Sequence, residues 1–233
     1  MADVAGVWTR ERPAPRRRAP SVERIVEQAV AIADDEGLEA LSMRRVSAEL
    51  GSGTASLYRY VASRDELLDL MIDTVQGEQE PPAPTGDWRA DLTATALHLR
   101  AAMLRHPWLS AELTGRPGLG PNALRRIDTA LAAAAGCTTD AATAGRLIET
   151  VLSYVFGAVA TELAERQAIR RSGLTEQQWQ ASVAPYLKQV FSSGLYPHLA
   201  RQVTEGAETD AGQRFTFGLE VVLDGVAARS SLR

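Results

Sequence analysis

Apolar residues recur along most of this chain at the spacing that places them on one face of an α-helix. Between Ser21 and Gly37 the apolar positions form a single stripe: Val22, Ile25, Val26, Ala29, Val30 and Ala33. Ser21 is a favourable N-cap and Gly37 a favourable stop, so this stretch predicts an amphipathic helix. The sequence contains no convincing strand-like alternation, and we therefore expect an all-α fold.

The same spacing predicts further helices near residues 87–105, 120–135, 140–170, 175–191 and 209–229. Pro185 should end or kink the helix in which it falls. The proline-rich stretch GEQEPPAPTGD predicts a loop near residue 80. These breaks predict three parts, listed in chain order: a disordered basic arm at 1–20, a first domain at 21–77 and a larger second domain at 87–233.

Two short helices across a glycine turn are predicted between Ser42 and Val61. LSMRRVSAEL forms the first helix with Ser42 as its cap, GSG forms the turn, and TASLYRYV forms the second helix. This is the arrangement of a helix-turn-helix motif. The next segment begins with Ser63 and has Glu66 three residues later, which predicts a capping box. An ordinary helical corner has the same pattern, so a role in DNA binding depends on the side chains.

The second short helix separates into two faces when side chains are placed at 100° per residue. Leu57 and Val61 point to the core, while Ala55 and Arg59 point away from it. Small residues let a helix approach the base edges of the major groove, and a guanidinium can bind the two acceptors of guanine. The outer face is therefore suited to DNA.

Local charge favours the same interpretation, although the whole chain has a formal charge of −4. Residues 42–64 contain four arginines against one glutamate, and residues 10–18 contain five arginines against one glutamate. Such clusters can bind phosphate. Tyr58 and Tyr60 fall at the borders of the outer face, where their hydroxyls can donate to phosphates. Arg16, Arg17 and Arg18 lie in the predicted arm, for which a solvated tail is the alternative.

The stretch LSMRRVSAELGSGTASLYRYVASRDELLDLMID resembles the DNA-binding domain of the TetR family of bacterial transcriptional regulators. HPWLSAELTGRPGLGPNALRRIDTALAAA and FTFGLEVVLDGVAAR are similar to its tetracycline-repressor type of C-terminal domain. The resemblance implies an N-terminal three-helix DNA-binding domain and a larger helical domain for ligand binding and dimerisation. It implies base reading by Thr54, Ala55, Ser56 and Arg59, and phosphate contacts by Tyr58, Tyr60 and Arg64. Arg44 matches a position at the start of the second helix that reaches DNA in some members of the family.

The resemblance also implies a pocket for a small-molecule effector, which we expect to be apolar or aromatic. LTGRPGLGP interrupts the helices and lets them diverge, which favours a pocket between residues 87–135 and 140–170. The candidate lining residues are Leu99, Met103, Trp108 and Tyr154, with His98, Glu112 or Arg116 at a polar end. Glu112 stands where the resemblance places a magnesium-chelating histidine, so a magnesium–tetracycline complex is not expected.

The segment LIETVLSYVFGAVATELA is apolar almost all round, which predicts burial on several sides. A second subunit would account for the surplus apolar surface. We therefore expect a homodimer in which the helices near 140–170 and 209–229 form the interface. The candidate interface residues are Val151, Val155, Leu219 and Val222.

No other chemistry is expected. The three histidines lack metal-ligand spacing, and neither a nucleotide-binding loop nor a catalytic serine motif is present. No metal, cofactor or membrane partner is therefore expected, and the predicted location is the cytoplasm. The predicted function is a ligand-responsive regulator, favoured as a repressor that binds a palindromic operator, although an activator would use the same parts. The alternative is a helical enzyme with a corner that does not bind DNA.

Overall fold

The computed structural model describes residues 6–10, 21–115, 118–207 and 209–230, and these residues form helices and connecting loops without a strand. The helices, in chain order, are α1 Gly6–Thr9, α2 Val22–Glu36, α3 Met43–Glu49, α4 Thr54–Leu57, α5 Arg64–Gln76, α6 Trp88–Arg105, α7 Leu109–Gly115, α8 Pro121–Ala135, α9 Ala141–Ser172, α10 Glu176–Ser192, α11 Pro197–Glu205 and α12 Ala211–Ser230. The all-α prediction is confirmed.

Side-chain caps begin the N-terminal helices where the sequence predicts them. Ser21, Ser42 and Ser63 each accept a hydrogen bond from a backbone amide at the first turn of α2, α3 and α5. Gly37 ends α2 with a φ of 85°, a conformation that disfavours residues with a Cβ. The predicted stripe of α2 is buried, with Val22 at its edge only partly covered. Helices α2 to α5 therefore form a compact N-terminal head.

The rest of the chain forms a helical body in which α6, α8, α9 and α12 pack together. Helix α5 contacts both α2 in the head and α8 in the body. Asp73 near the end of α5 accepts hydrogen bonds from the backbone amides of Asn122 and Ala123, both at 3.0 Å, and so caps α8 from another helix. The head and body are thus joined through α5.

Residues 6–10 differ from the disordered arm that the sequence predicts. They form α1, which packs on α5 and buries Val7. Arg10 donates to a Glu66 carboxylate oxygen at 2.6 Å and to the carbonyl of Tyr60 at 2.9 Å. Apolar packing and the ion pair of Arg10 thus attach this short segment to the head. Arg16, Arg17 and Arg18 lie outside the described residues.

Helix α10 continues through Pro185, so of the two predicted effects this proline does not end the helix. None of the described side chains of α10 is buried, and Trp179 and Tyr186 are exposed. By length and composition α9 could cross a membrane. Its apolar residues Val151, Val155 and Val159 are buried against the chain itself, as in the core helix of a bundle.

Candidate nucleic-acid interface and effector region

The turn between α3 and α4 is fixed by backbone conformation and by a pair of hydroxyls. Gly51 has a φ of 58°, in the left-handed region that glycine adopts with little strain. The buried Ser47 hydroxyl donates to the carbonyl of Arg44 at 2.9 Å. Thr54 lies 2.9 Å from the same hydroxyl and therefore acts as the donor between the two. This chain of hydrogen bonds holds the start of α4 against α3.

Helix α4 has one buried residue and presents the rest of its surface outward. Leu57 is buried, as is Val61 after the helix ends, which confirms the predicted inner face. Ala55 and Arg59 are exposed, as the sequence predicts for the outer face. Tyr58 is also exposed and lies beside Arg59. Small, aromatic and cationic groups thus share one accessible surface.

Tyr60 does not lie at the border of this surface, so its predicted phosphate contact is corrected. Its residue surface is only 5% exposed, and its ring packs in the head core. The prediction extended the 100° spacing to Val61, whereas α4 ends at Leu57 and residues 58–60 form a turn. The turn rotates Tyr60 inward, where its carbonyl accepts the bond from Arg10.

The four arginines between residues 42 and 64 differ in what they contact. Arg45 pairs with Glu36 and Glu49. Arg64 donates to the carbonyls of Leu41 and Leu38, at 3.1 and 2.9 Å, and so ties the start of α5 to the loop before α3. Arg44 and Arg59 are exposed and make no side-chain hydrogen bond or ion pair within the part of the chain that the structure describes. These two guanidiniums remain available to nucleic acid.

The predicted pocket residues of α6 lie on the inner side of the body. Leu99 and Met103 are fully buried, and His98 beside them is half-buried. Burial, followed by the positive charges of Arg105 and Arg126, lowers the pKa of His98 below its ordinary value. His98 is therefore neutral at pH 7 and can donate one hydrogen bond and accept another.

Two aromatic residues predicted for the pocket are held by hydrogen bonds to distant segments. The indole nitrogen of Trp108 donates to Asp34 in the head at 2.7 Å. The Tyr154 hydroxyl donates to the carbonyl of Phe215 at 2.7 Å, and its ring packs against Gly218 on α12. A polar atom of each ring is therefore already bonded to a segment distant in sequence, and their contact with an effector stays a prediction. Arg116 lies outside the described residues.

Glu112 lies on α7 and is partly exposed. Within the described ranges, no group of three or more histidine, cysteine, aspartate or glutamate side chains is arranged to hold a metal ion.

A polar junction between head and body was not foreseen from the sequence. His106 ends α6, and its ring nitrogens lie 2.9 Å from an Asp34 carboxylate oxygen and 3.0 Å from a Glu78 carboxylate oxygen. Trp108 packs beside the His106 ring. Asp34 belongs to α2 and is far from both in sequence, so no local pattern links them. The junction connects the end of α2 to the body.

Three of the four predicted interface residues are buried within a single subunit and are corrected. Val155 has no exposed surface, and Val151 and Leu219 are also buried, in the packing between α9 and its neighbours. When a helix is apolar on all sides, its sequence does not show which side packs within the subunit and which side faces a second copy. Val222 is half-buried, whereas Phe217 on the same helix is 70% exposed.

The same surface of α12 includes Val221, which is 56% exposed. Gly157 and Ala160 lie on the outward side of α9, which packs against α12. The exposed residues of this helix pair therefore include large apolar side chains on α12 and small residues on α9. They provide an unpartnered face in the single chain.

A short outward helix behind a glycine turn, attached to a helical body, defines the class of helix-turn-helix regulators. Residues 25–71 match the family described as bacterial regulatory proteins, tetR family, and residues 80–230 match the tetracyclin repressor-like C-terminal domain. The chain is 44% identical to the transcriptional repressor DrrR1 of Streptomyces coeruleorubidus, over 94% of this chain and 83% of that protein. The chain belongs to the TetR family, and it is a transcriptional regulator.

Solved structures agree with this assignment. Apo ActR from Streptomyces coelicolor is 30% identical, with a TM-score of 0.75 over 94% of this chain and 99% of that chain. ActR in complex with actinorhodin is 31% identical, with a TM-score of 0.74 over 93% and 99% of the two chains. The prediction of an N-terminal DNA-binding domain and a larger helical domain is confirmed.

Proposed function

We propose that two copies of this chain bind a palindromic operator, repress transcription there and are released by a small organic effector. DNA binding is supported mainly by the outward surface at α4. Arg59 is exposed there, and its side chain has no hydrogen bond or ion pair within the described residues. Relatives such as DrrR1 are named repressors, which favours repression over activation. The proposed site of action is the cytoplasm.

The side chains of the α3–α4 surface divide between base and phosphate contacts. Ala55 and Ser56 are small enough to let α4 approach the major groove, and Arg59 can bind the O6 and N7 acceptors of a guanine. Arg44 and Tyr58 flank this surface and are suited to phosphate oxygens. Thr54 is also proposed to read a base. Its hydroxyl donates to Ser47, and the lone pairs of its oxygen remain available to accept a hydrogen bond from a base.

Arg64 is assigned a positioning role. Its two hydrogen bonds to loop carbonyls use part of the guanidinium, and they fix the orientation of α5 relative to α3. Removing it should weaken binding to all DNA sequences alike, because it orients the motif without reading a base.

The homodimer is supported by apolar surface that a single chain leaves in water. Phe217 and Val221 on α12 are exposed, and so are Trp179 and Tyr186 on α10. Large apolar side chains exposed on neighbouring turns of one helix, as Phe217 and Val221 are, favour an interaction surface. Pairing α9 and α12 with a second copy would cover Phe217 and Val221, and the two heads could then contact two operator half-sites.

The effector is proposed to be an organic molecule held in the body without a magnesium–tetracycline chelate. The actinorhodin complex of ActR supports a ligand-binding body in a relative with this fold. Glu112 is the reason for excluding the chelate: a single carboxylate can hold magnesium through water but lacks the selective ligand set.

Selection of binding sites from a random DNA pool tests the proposal directly. The full chain should enrich an inverted repeat whose half-sites are centred about one or two helical turns apart. Placed upstream of a reporter, that site should lower expression when the regulator is present. Failure to enrich any sequence above non-specific binding would remove the DNA-binding function, and increased expression would identify an activator.

The dimer is tested with two matched charge substitutions. Val221→Asp should produce a monomer in light scattering and weaken operator binding strongly, because burying an unpaired carboxylate is unfavourable and the two half-sites lose their linkage. Leu124→Asp, at an exposed position on α8 outside the proposed interface, should remain dimeric. A dimeric Val221→Asp protein would place the interface on another surface.

A further inference from the structure

Helix α8 packs against the other helices of the body through a row of alanines, and one arginine lies on the same face of the helix. Ala123, Ala130, Ala133 and Ala134 are buried on its inner side. Arg126 lies three residues after Ala123 and four before Ala130, which places it on the same face. Its neighbour Arg125 is exposed. The adjacent arginines therefore have different environments, and only Arg126 points into the bundle.

The guanidinium of Arg126 has fewer partners than its burial requires. Its Nε donates to the side-chain oxygen of Gln76 at 2.8 Å. Its Nη1 is buried and has no hydrogen-bond partner, the only such side-chain nitrogen or oxygen in the described part of the chain. No carboxylate of the described residues pairs with it. A buried N–H of a cation without an acceptor is unfavourable, and such a group in a native fold calls for an explanation.

The surroundings of Arg126 would stabilise a negative charge. His98 and Arg105 belong to α6, which packs against α8. Burial lowers the pKa of His98 most, and the positive charges of Arg105 and Arg126 lower it further. The charge of Arg105 is paired with Glu78 at 2.7 Å. Burial also lowers the pKa of Arg126 itself. Its positive charge is left without a counter-charge beside a neutral imidazole.

We propose that Arg126 binds an acidic oxygen of the effector, so that the effector is an organic acid, with His98 as a second hydrogen-bond partner. This assignment rests on the proposed function as an effector-released regulator. The Arg126 side chain is partly exposed although Nη1 itself is covered, so the bound acid would have to displace the groups that cover Nη1. A carboxylate or an ionised phenol provides the acceptor that Nη1 lacks, and the bond would be charge-assisted.

The position of Gln76 gives this site a route to the DNA-binding head. Gln76 is the last residue of α5, and it holds Arg126 through a neutral hydrogen bond. An acid bound at Nη1 would form a charge-assisted bond to the same guanidinium that Gln76 holds at Nε. Any shift of Arg126 toward the acid would act on the end of α5 through Gln76, and α5 packs directly on α2 in the head.

The test compares two probes of the same shape, 2-naphthoate and 2-naphthamide, by calorimetry on the full chain. In the wild type, the acid should bind about 10- to 100-fold more tightly than the amide, as expected for a hydrogen bond to a charged group. Arg126→Met should reduce this ratio to about one, while Arg126→Lys should retain part of it because the charge remains. Arg125→Met is the matched control and should keep the full preference for the acid.

Equal binding of the two probes to the wild type would overturn the proposal, and so would an acid preference that persists in Arg126→Met. It would also be overturned if the acid failed to bind at about 1 mM, a concentration that detects even weak ligands. Circular dichroism shows whether each variant is folded. Operator binding is measured in parallel without probe. If the wild type binds its operator but does not prefer the acid, the proposal for Arg126 is wrong and the proposed function stands. If the wild type binds no DNA, the proposed function itself is wrong.

Discussion

The junction between Asp34 and Trp108 should couple the head and the body energetically. Trp108→Phe removes the indole N–H and keeps an aromatic ring in a buried position, whereas Asp34→Ala removes the carboxylate that accepts it. The bond measures 2.7 Å, and the acceptor also lies 2.9 Å from a His106 ring nitrogen. A double-mutant cycle with these two changes isolates the direct interaction from their separate effects.

The expected coupling free energy is about 1–2 kcal/mol. Hydrogen bonds to charged groups contribute about 1.5–3 kcal/mol, and we use the lower part of this range because the Asp34 side chain is partly exposed. Asp34→Ala alone should cost more than Trp108→Phe alone, since it also leaves the buried His106 nitrogen without its acceptor. An exposed pair in the head, Arg45 with Glu36, should give a coupling of only about 0–1 kcal/mol.

Urea unfolding at a fixed protein concentration provides the assay, with tryptophan fluorescence and circular dichroism as the two probes. The four proteins of each cycle are compared by their free energies of unfolding. A coupling below about 0.5 kcal/mol for Asp34 and Trp108, within the usual additivity of independent sites, would refute the assigned link between head and body. A larger value for the exposed control pair than for the junction would refute it as well.

Three further outcomes follow from particular positions. The folded protein lowers the pKa of His98, so the neutral imidazole should contribute to stability above the unfolded pKa of about 6.5. This contribution to the free energy of unfolding should be lost as pH falls through the folded pKa, and His98→Gln should remove that pH dependence in urea unfolding. Gly218→Ala should lower the melting temperature, because a Cβ there would clash with the ring of Tyr154, whereas Gly145→Ala, with open space around it, should be neutral or stabilising by up to about 1 kcal/mol. Gly51→Ala should destabilise the head by about 1 kcal/mol, measured by thermal unfolding, since its φ of 58° is unfavourable for alanine.

Local patterns predicted the fold well because they depend on nearby residues. The bounds of α6, α8, α9, α10 and α12 lie close to those expected from apolar spacing. The serine caps occur where a serine directly precedes a helical stripe of apolar residues. The orientation of Leu57 and Arg59 was also predicted correctly, since it depends on residues close to one another in sequence. The inward position of Arg126 could have been inferred from its spacing to Ala123 and Ala130.

Contacts between distant segments could not be predicted in the same way. Trp108 lies 74 residues from its acceptor Asp34, and Tyr154 lies 61 residues from the carbonyl that it contacts. The burial of Val155 depends on which arc of an all-apolar helix faces its own chain. Tyr60 was misplaced because nothing in its immediate sequence marks the end of α4 at Leu57. These features are set by tertiary packing, which periodicity does not encode.

Base recognition by α4 is tested most directly by a binding-site selection carried out side by side with the wild type and Arg59→Ala. The variant should still select an inverted repeat but lose its preference at one base pair in each half-site, with a cost of about 1–3 kcal/mol on the wild-type operator. Arg146→Ala, at an exposed arginine on α9, should select the wild-type sequence unchanged. An Arg59→Ala protein with the same operator preference as the wild type would contradict the assignment of this surface to base recognition.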